Sequence, residues 1–197
     1  RRYFGTKPSE FSATSQFPPK GQKEGGSATI ENGKMTGKHG KKTFELKRVV
    51  RKSPTMGTKP LKDAVVLFDG SGKTEWQGGR VDGKTKLLNT DGRDIKTARK
   101  FQNYTMHMEF LLPFKPAARG QGRGNSGFYQ VDHYEVQILD SFGLEGRNNE
   151  CGGVYTKAEP IVNMCLPPLQ WQTYDVEFTN AVMKDGKKIK NARMTLK

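Results

Sequence analysis

Apolar side chains in the second half of this chain recur at every second residue, and no segment sustains a 3.6-residue period. Over residues 104–112, Tyr104, Met106, Met108 and Phe110 fall on one side of an extended backbone. Thr105, His107, Glu109 and Leu111 fall on the other. Tyr134, Val136 and Ile138 share a side in the same way, as do Tyr174, Val176 and Phe178. An amphipathic helix cannot be built from that pattern; a half-buried strand can. The chain carries 23 Gly and 10 Pro, which break it into short strands joined by turns. Its 11 Phe, 6 Tyr and 2 Trp are too many large rings for a wholly disordered chain, so a core exists. The reading is all-β, with strands at the short spacing of a sandwich or barrel.

Charge divides the chain. Residues 1–62 hold 15 basic and 4 acidic side chains, while residues 63–197 hold 19 and 16. The first part is therefore read as an irregular, basic, Pro/Gly-rich extension with two short strands, at 28–31 and 43–50, and a linker at 51–60. The compact domain is expected from 63 to 197, opening with a strand at 64–68. A basic arm suits an acidic surface or a protein partner. It contains no recognisable nucleic-acid module, so nucleic acid is not the expected ligand. The longest apolar run, 64–68, is far too short to span a membrane. Arg1-Arg2-Tyr3 is basic, but no apolar stretch follows it, so no signal peptide is expected in these residues. The chain opens on Arg1 and is read as starting at a processed or trimmed end.

Three constellations could carry chemistry. On the strand after residue 133, His133, Glu135 and Gln137 form a polar stripe on the side opposite Tyr134, Val136 and Ile138. A solvated outer face is the ordinary reason for such a stripe. A carboxylate and an amide beside aromatic residues also suit sugar hydroxyls. His107 and Glu109 repeat the pattern on another strand, and the expectation is that both stripes line one concave surface. The loop Gly120-Gln121-Gly122-Arg123-Gly124-Asn125-Ser126-Gly127 is followed by neither Gly-Lys-Ser/Thr nor a helix. It reads as a tight loop presenting Arg123 and Asn125, not as a phosphate cradle. Cys151 and Cys165 lack zinc-ligand spacing. They are either two buried thiols or one disulfide, which would be worth about 3 kcal/mol. No serine nucleophile elbow, metal-ligand motif or cofactor motif is evident, and the residues leave open whether a divalent cation takes part.

Ordered strings then read together: VVLFDG at 65–70, RGNSGFY at 123–129, YEVQILDSFG at 134–143, CGGVY at 151–155, VNMCLPPLQWQTYDVEF at 162–178 and ARMTL at 192–196. Over residues 64–197 this resembles the 3-keto-disaccharide hydrolase family. The resemblance implies a concanavalin A-like jelly-roll β-sandwich, exported to the periplasm or cell envelope and acting on glycosides in its concave face. Export in turn favours the Cys151–Cys165 disulfide. Carried onto this chain, the family's site falls on Glu109, Arg123, Asn125, Ser126, Tyr129, Glu135, Gln137, Asp140, Tyr155, Asn163 and Trp171. Val131 and His133 stand where relatives often carry Gln and Arg. Relatives continue past Leu196-Lys197 with further strands, so the domain is expected to lack its last ones.

The function expected from the resemblance is cleavage of a 3-keto-glycoside. A keto group at C3 acidifies the C2 proton, so a single general base can start elimination of the glycosidic bond. Glu135 is the expected base, with His133 or His107 as alternatives. Arg123 and Gln137 would polarise the keto oxygen, and Trp171 and Tyr155 would stack on the sugar. A non-catalytic carbohydrate-binding module and a structural subunit of an assembly are the competing readings of the same scaffold. A two-carboxylate retaining glucanase is not expected. That mechanism needs two acids about 5 Å apart, and the face carrying Glu135 continues with Gln137 and Leu139.

Overall fold

The computed structural model describes residues 10–13 and 26–197. The chain divides into two units, Arg1–Lys52 and Ser53–Lys197. In the first, β1 (Glu10–Ala13), β2 (Gly26–Glu31), β3 (Lys34–His39) and β4 (Lys42–Lys47) make a four-stranded antiparallel sheet in chain order. Asn32 and Gly33, at φ 47° and 76°, turn β2 into β3. Two successive positive φ angles match the twist of a tight hairpin, and Asn-Gly is the dipeptide that adopts them most readily. Over β2–β4 the basic extension forms an antiparallel meander, in which the strand expected at 28–31 lies within β2 and the one expected at 43–50 overlaps β4.

The second unit holds the core. Its largest sheet runs β15 (Arg193–Leu196), β12 (Trp171–Thr179), β9 (Tyr104–Leu111), all antiparallel. A hairpin of β10 (Ser126–Gln130) and β11 (Tyr134–Ile138) forms the other layer. Residues 152–155 run antiparallel along its free side. Gln137 N donates to Gly153 O at 2.8 Å, Gly152 N to Gln137 O at 3.0 Å and Tyr155 N to Glu135 O at 2.9 Å.

Val136, Ile138, Tyr174, Val176 and Phe178 are buried against one another, with Tyr104, Met108, Phe110 and Tyr134 packed at the margin. Tyr134 and Phe178 meet across the layers with ring centroids 6.1 Å apart. The Tyr174 hydroxyl, 2.6 Å from Gln137 O, ties β12 to β11. The result is the expected β-sandwich of the concanavalin A-like jelly-roll class, its two layers closed by the apolar sides of period-two strands.

Smaller pairs complete the unit: β5 (Trp76–Gln77) with β8 (Lys96–Thr97), β6 (Arg80–Val81) with β7 (Leu88–Asn89), and the hairpin β13 (Val182–Lys184) with β14 (Lys187–Lys190). Residues 64–68, expected as a strand, pair with none. Leu67 instead offers its carbonyl to the Trp76 indole N–H at 2.9 Å. Among the described residues no helix is long and apolar enough to cross a membrane.

Candidate functional site

The two polar stripes do not meet. β9 and β12 turn their apolar sides to the same core that receives Val136 and Ile138 from β11. Their polar sides therefore look away from that core on separate layers. The expectation that His107 and Glu109 share a surface with Glu135 and Gln137 fails, because it took the strands as neighbours. Among the described residues β9 pairs only with β12, and β11 only with β10 and the 152–155 segment.

On the β9–β12 face, His107 Nδ1 lies 2.7 Å from Asp175 Oδ1 and Nε2 lies 3.4 Å from Glu109 Oε1. Thr55 Oγ1 donates to Asp175 Oδ2 at 2.6 Å, and Gly57 N donates to Glu109 Oε1. Ser53 and Thr55 both bond the Thr173 hydroxyl. Residues expected to be linker thus form a strap over this stripe and occupy its polar groups. Burial opposes charge on His107. The hydrogen bonds its ring donates to Asp175 and then Glu109 outweigh it, so its pKa is raised. Trp171 opens β12, half exposed and paired with Leu111 on β9, a layer away from Glu135.

The hairpin face is different. Glu135, the second residue of β11, is half buried and directly opposite Tyr129 on β10. The Tyr129 hydroxyl donates to Glu135 Oε2 at 2.9 Å. Glu135 Oε1 lies over Gly127, where a Cβ would come within 2.1 Å of it. On the other flank Tyr155 is the neighbour. Val154 bridges to Val136, which is wholly buried, so alternation turns Tyr155 outward beside Glu135. The carboxylate is therefore centred between two exposed phenols, one on each flanking strand. The pKa of Tyr129 is raised, first by its bond to Glu135, then by burial, then by the charges of Glu135 and Asp94 and by Tyr155. It stays protonated and keeps donating.

Below this surface an amide cluster sets the orientation of the loop. Gln137 is 1% exposed. Its Oε1 accepts from Ile138 N at 3.0 Å, so its Nε2 is the end that reaches Gln121 Oε1 at 2.9 Å. Asn125 Nδ2 donates to the same Gln121 oxygen at 3.1 Å, and Gln121 Nε2 donates to Asn149 O at 2.8 Å. Gln121 joins three segments, yet nothing in its Gly-Gln-Gly setting marked it. Asp94, which reaches the Tyr129 phenol electrostatically, comes from a turn distant in sequence and was likewise not legible.

Several expected ligands face inward. Arg123 and Asp140 are 3% and 2% exposed and form a buried ion pair, with Asp140 N also bonded to Arg123 O at 2.9 Å. Neither side chain is exposed on the hairpin face that carries Glu135, and Gln137 is buried as well. Asn163 Nδ2 donates to the carbonyls of Ser141 and Leu144, both at 2.8 Å, and so clamps a loop. His133 sits exposed in the β10–β11 turn, edge-on to the Tyr134 ring at 4.6 Å. Ser126 is exposed at the start of β10.

Cys151 and Cys165 are both buried and are not joined by a disulfide, which corrects the expected pairing. The thiols hydrogen-bond each other instead of joining. That bond draws Cys151 down to about 7 against its burial, with help from Tyr174 at 3.0 Å, and it pushes Cys165 up together with burial. Among the described residues no cluster of three or more His, Cys, Asp or Glu is placed to hold a metal ion.

Residues 63–192 match the 3-keto-alpha-glucoside-1,2-lyase-like domain. The chain belongs to this family. A solved structure from Parabacteroides distasonis ATCC 8503, described as "a putative glycosyl hydrolase", superposes with a TM-score of 0.63 at 30% identity. The match covers 68% of this chain and 61% of that one, so the chain spans less than two thirds of that protein's length. No curated protein matches. The family match takes in the whole β10–β11 hairpin and the 152–155 segment, so Glu135 and both phenols lie inside the lyase-like domain. The N-terminal meander lies outside it.

Proposed function

We propose that this lyase-like domain cleaves 3-keto-glucosides by elimination, with Glu135 as the general base. The observation that carries the reading is the setting of Glu135. One carboxylate oxygen is held by Tyr129, the other lies over a glycine, and the group is centred on an open sheet face. The family's description and the glycosyl hydrolase neighbour support a glycoside substrate.

A ketone at C3 makes the C2 proton acidic by delocalising the resulting charge onto its oxygen. Glu135 would remove that proton. When the carbonyl re-forms, a C1=C2 double bond forms and the C1–O1 bond breaks. The departing oxygen takes a proton from Glu135 or from water, so no oxidant or reductant is needed. The products are an unsaturated keto-sugar and an alcohol. One carboxylate suffices, in keeping with Gln137 two residues on, where a retaining glucanase would need a second acid. An exported location rests on the family resemblance alone, since no disulfide joins Cys151 and Cys165 to support it.

The test uses 3-keto-glucosides deuterated at C2. The native protein should show a primary isotope effect, and Glu135→Gln should lose at least ~100-fold in turnover with binding unchanged. Unchanged turnover in Glu135→Gln removes Glu135 as the base. Sugar binding by both proteins without turnover in either makes the domain a binding module. Repeating the assay with a chelator shows whether a divalent cation takes part.

A further inference from the structure

We infer that Tyr155 is the hydrogen-bond donor to the C3 oxygen of the substrate, the group that stabilises the enolate formed when Glu135 takes the C2 proton. The inference rests on the general-base reading of Glu135 and asks what that reading still lacks. Removing a proton beside a ketone places negative charge on the ketone oxygen. A base without a donor at that oxygen leaves most of the barrier in place. The side chains expected to serve, Arg123 and Gln137, are 3% and 1% exposed and committed to Asp140 and Gln121. The backbone N–H groups of the neighbouring 152–155 segment are already used: Gly152 N and Tyr155 N donate to β11, and Val154 N to Ala158 O.

Two phenols remain within one strand of the carboxylate. Tyr129 already donates its proton to Glu135 Oε2. Tyr155, at 36% exposure, stands on the opposite flank. Adjacent strands are about 4.8 Å apart. In a pyranose, C2 lies between C1 and C3, so the oxygens on those two carbons fall on either side of the proton to be removed. A sugar set with C2 over Glu135 and its C3 side toward residues 152–155 brings the ketone oxygen to Tyr155. Its C1 side then points toward β10.

The step is balanced within the substrate and these side chains. Glu135 gains the C2 proton, the C–H electron pair forms the enolate, and Tyr155 donates a hydrogen bond to O3 without giving up its proton. Return of the charge from O3 expels the C1 substituent. Tyr155 is thus a catalytic residue and not only a stacking surface.

Exchange of the C2 proton of methyl 3-keto-α-D-glucopyranoside in D₂O, followed by NMR, isolates enolate formation from loss of the leaving group. Tyr155→Phe keeps the ring and removes only the donor. It should slow exchange and elimination together by roughly 10²- to 10³-fold, equally for good and poor leaving groups, with KM and the melting midpoint unchanged. A variant that exchanges at the native rate, or that changes KM alone, overturns the assignment and leaves Tyr155 as a stacking residue. Glu135→Gln in the same assay separates the two ideas. If it still exchanges, the general-base reading fails first. If it is inert while Tyr155→Phe exchanges normally, only the donor assignment fails.

Discussion

Gly127 is the residue on which the geometry of Glu135 turns. It has no positive φ, so its backbone would accept alanine. An added methyl group would lie 2.1 Å from Glu135 Oε1 and 2.7 Å from the carboxyl carbon, so the Glu135 side chain would have to move aside. Gly127→Ala should therefore fold, with a melting point within a few degrees of native, and lose on the order of 100-fold in kcat, the usual cost of about 1 Å of misplacement. Steady-state kinetics beside a thermal melt checks this; full activity would show that the carboxylate works from another rotamer. Arg123 and Asp140 make the opposite case. Removing one partner of a buried ion pair strands the other charge in the interior. Asp140→Ala should cost about 3–5 kcal/mol in denaturant unfolding. A loss of sugar affinity without loss of stability would restore the ligand role that the sequence suggested.

At the level of elements, the strap formed by residues 53–57 depends on two carboxylates that His107 bridges. His107 has a folded pKa raised above its ordinary 6.5. Its contribution to stability is complete below about 6.5 and is lost as pH rises through the raised value. Asp175 is opposed by burial, but hydrogen bonds from Thr55 and then His107 leave its pKa below the ordinary 3.8. Its contribution holds above that value and is lost as pH falls through the lowered one. The pair thus supports the strap most between about pH 4 and 6.5. The gap in stability between native protein and His107→Phe should be largest in that window and shrink above neutrality. It should not exceed about 1 kcal/mol, since both groups are part-exposed and screened. Melting curves across pH 4–9 give the measurement; a gap that grows with pH contradicts the bridge.

For the whole molecule, the unit boundary after Lys52 makes a sharp prediction. A chain of residues 53–197 should unfold cooperatively. A chain starting at residue 63, the edge of the family match, loses Ser53, Thr55 and Gly57 from the β9–β12 face and should melt several degrees lower. Equal midpoints for the two would show the strap to be dispensable. Thiol titration in denaturant without reductant should find two thiols per chain, since no disulfide joins Cys151 and Cys165; a count of zero would restore the disulfide.

Much of this was readable from residue order alone. Period-two alternation named three strands of the sandwich, β9, β11 and β12, and assigned Tyr134, Val136, Ile138, Tyr174, Val176 and Phe178 to its interior. It also placed Glu135 on an outer face. That information is local: the backbone pleat alone sends neighbouring side chains to opposite sides. Alternation says that a side chain leaves the core, but not on which layer or beside what. Those depend on pairing between strands far apart in sequence, and they placed His107 and Glu109 beneath a strap and Glu135 between two phenols. Burial of Arg123, Asp140 and Gln137 was equally illegible. A polar residue in a loop or on the outer side of a strand is normally solvated, and only a partner brought from elsewhere in the fold offsets the cost of taking it out of water.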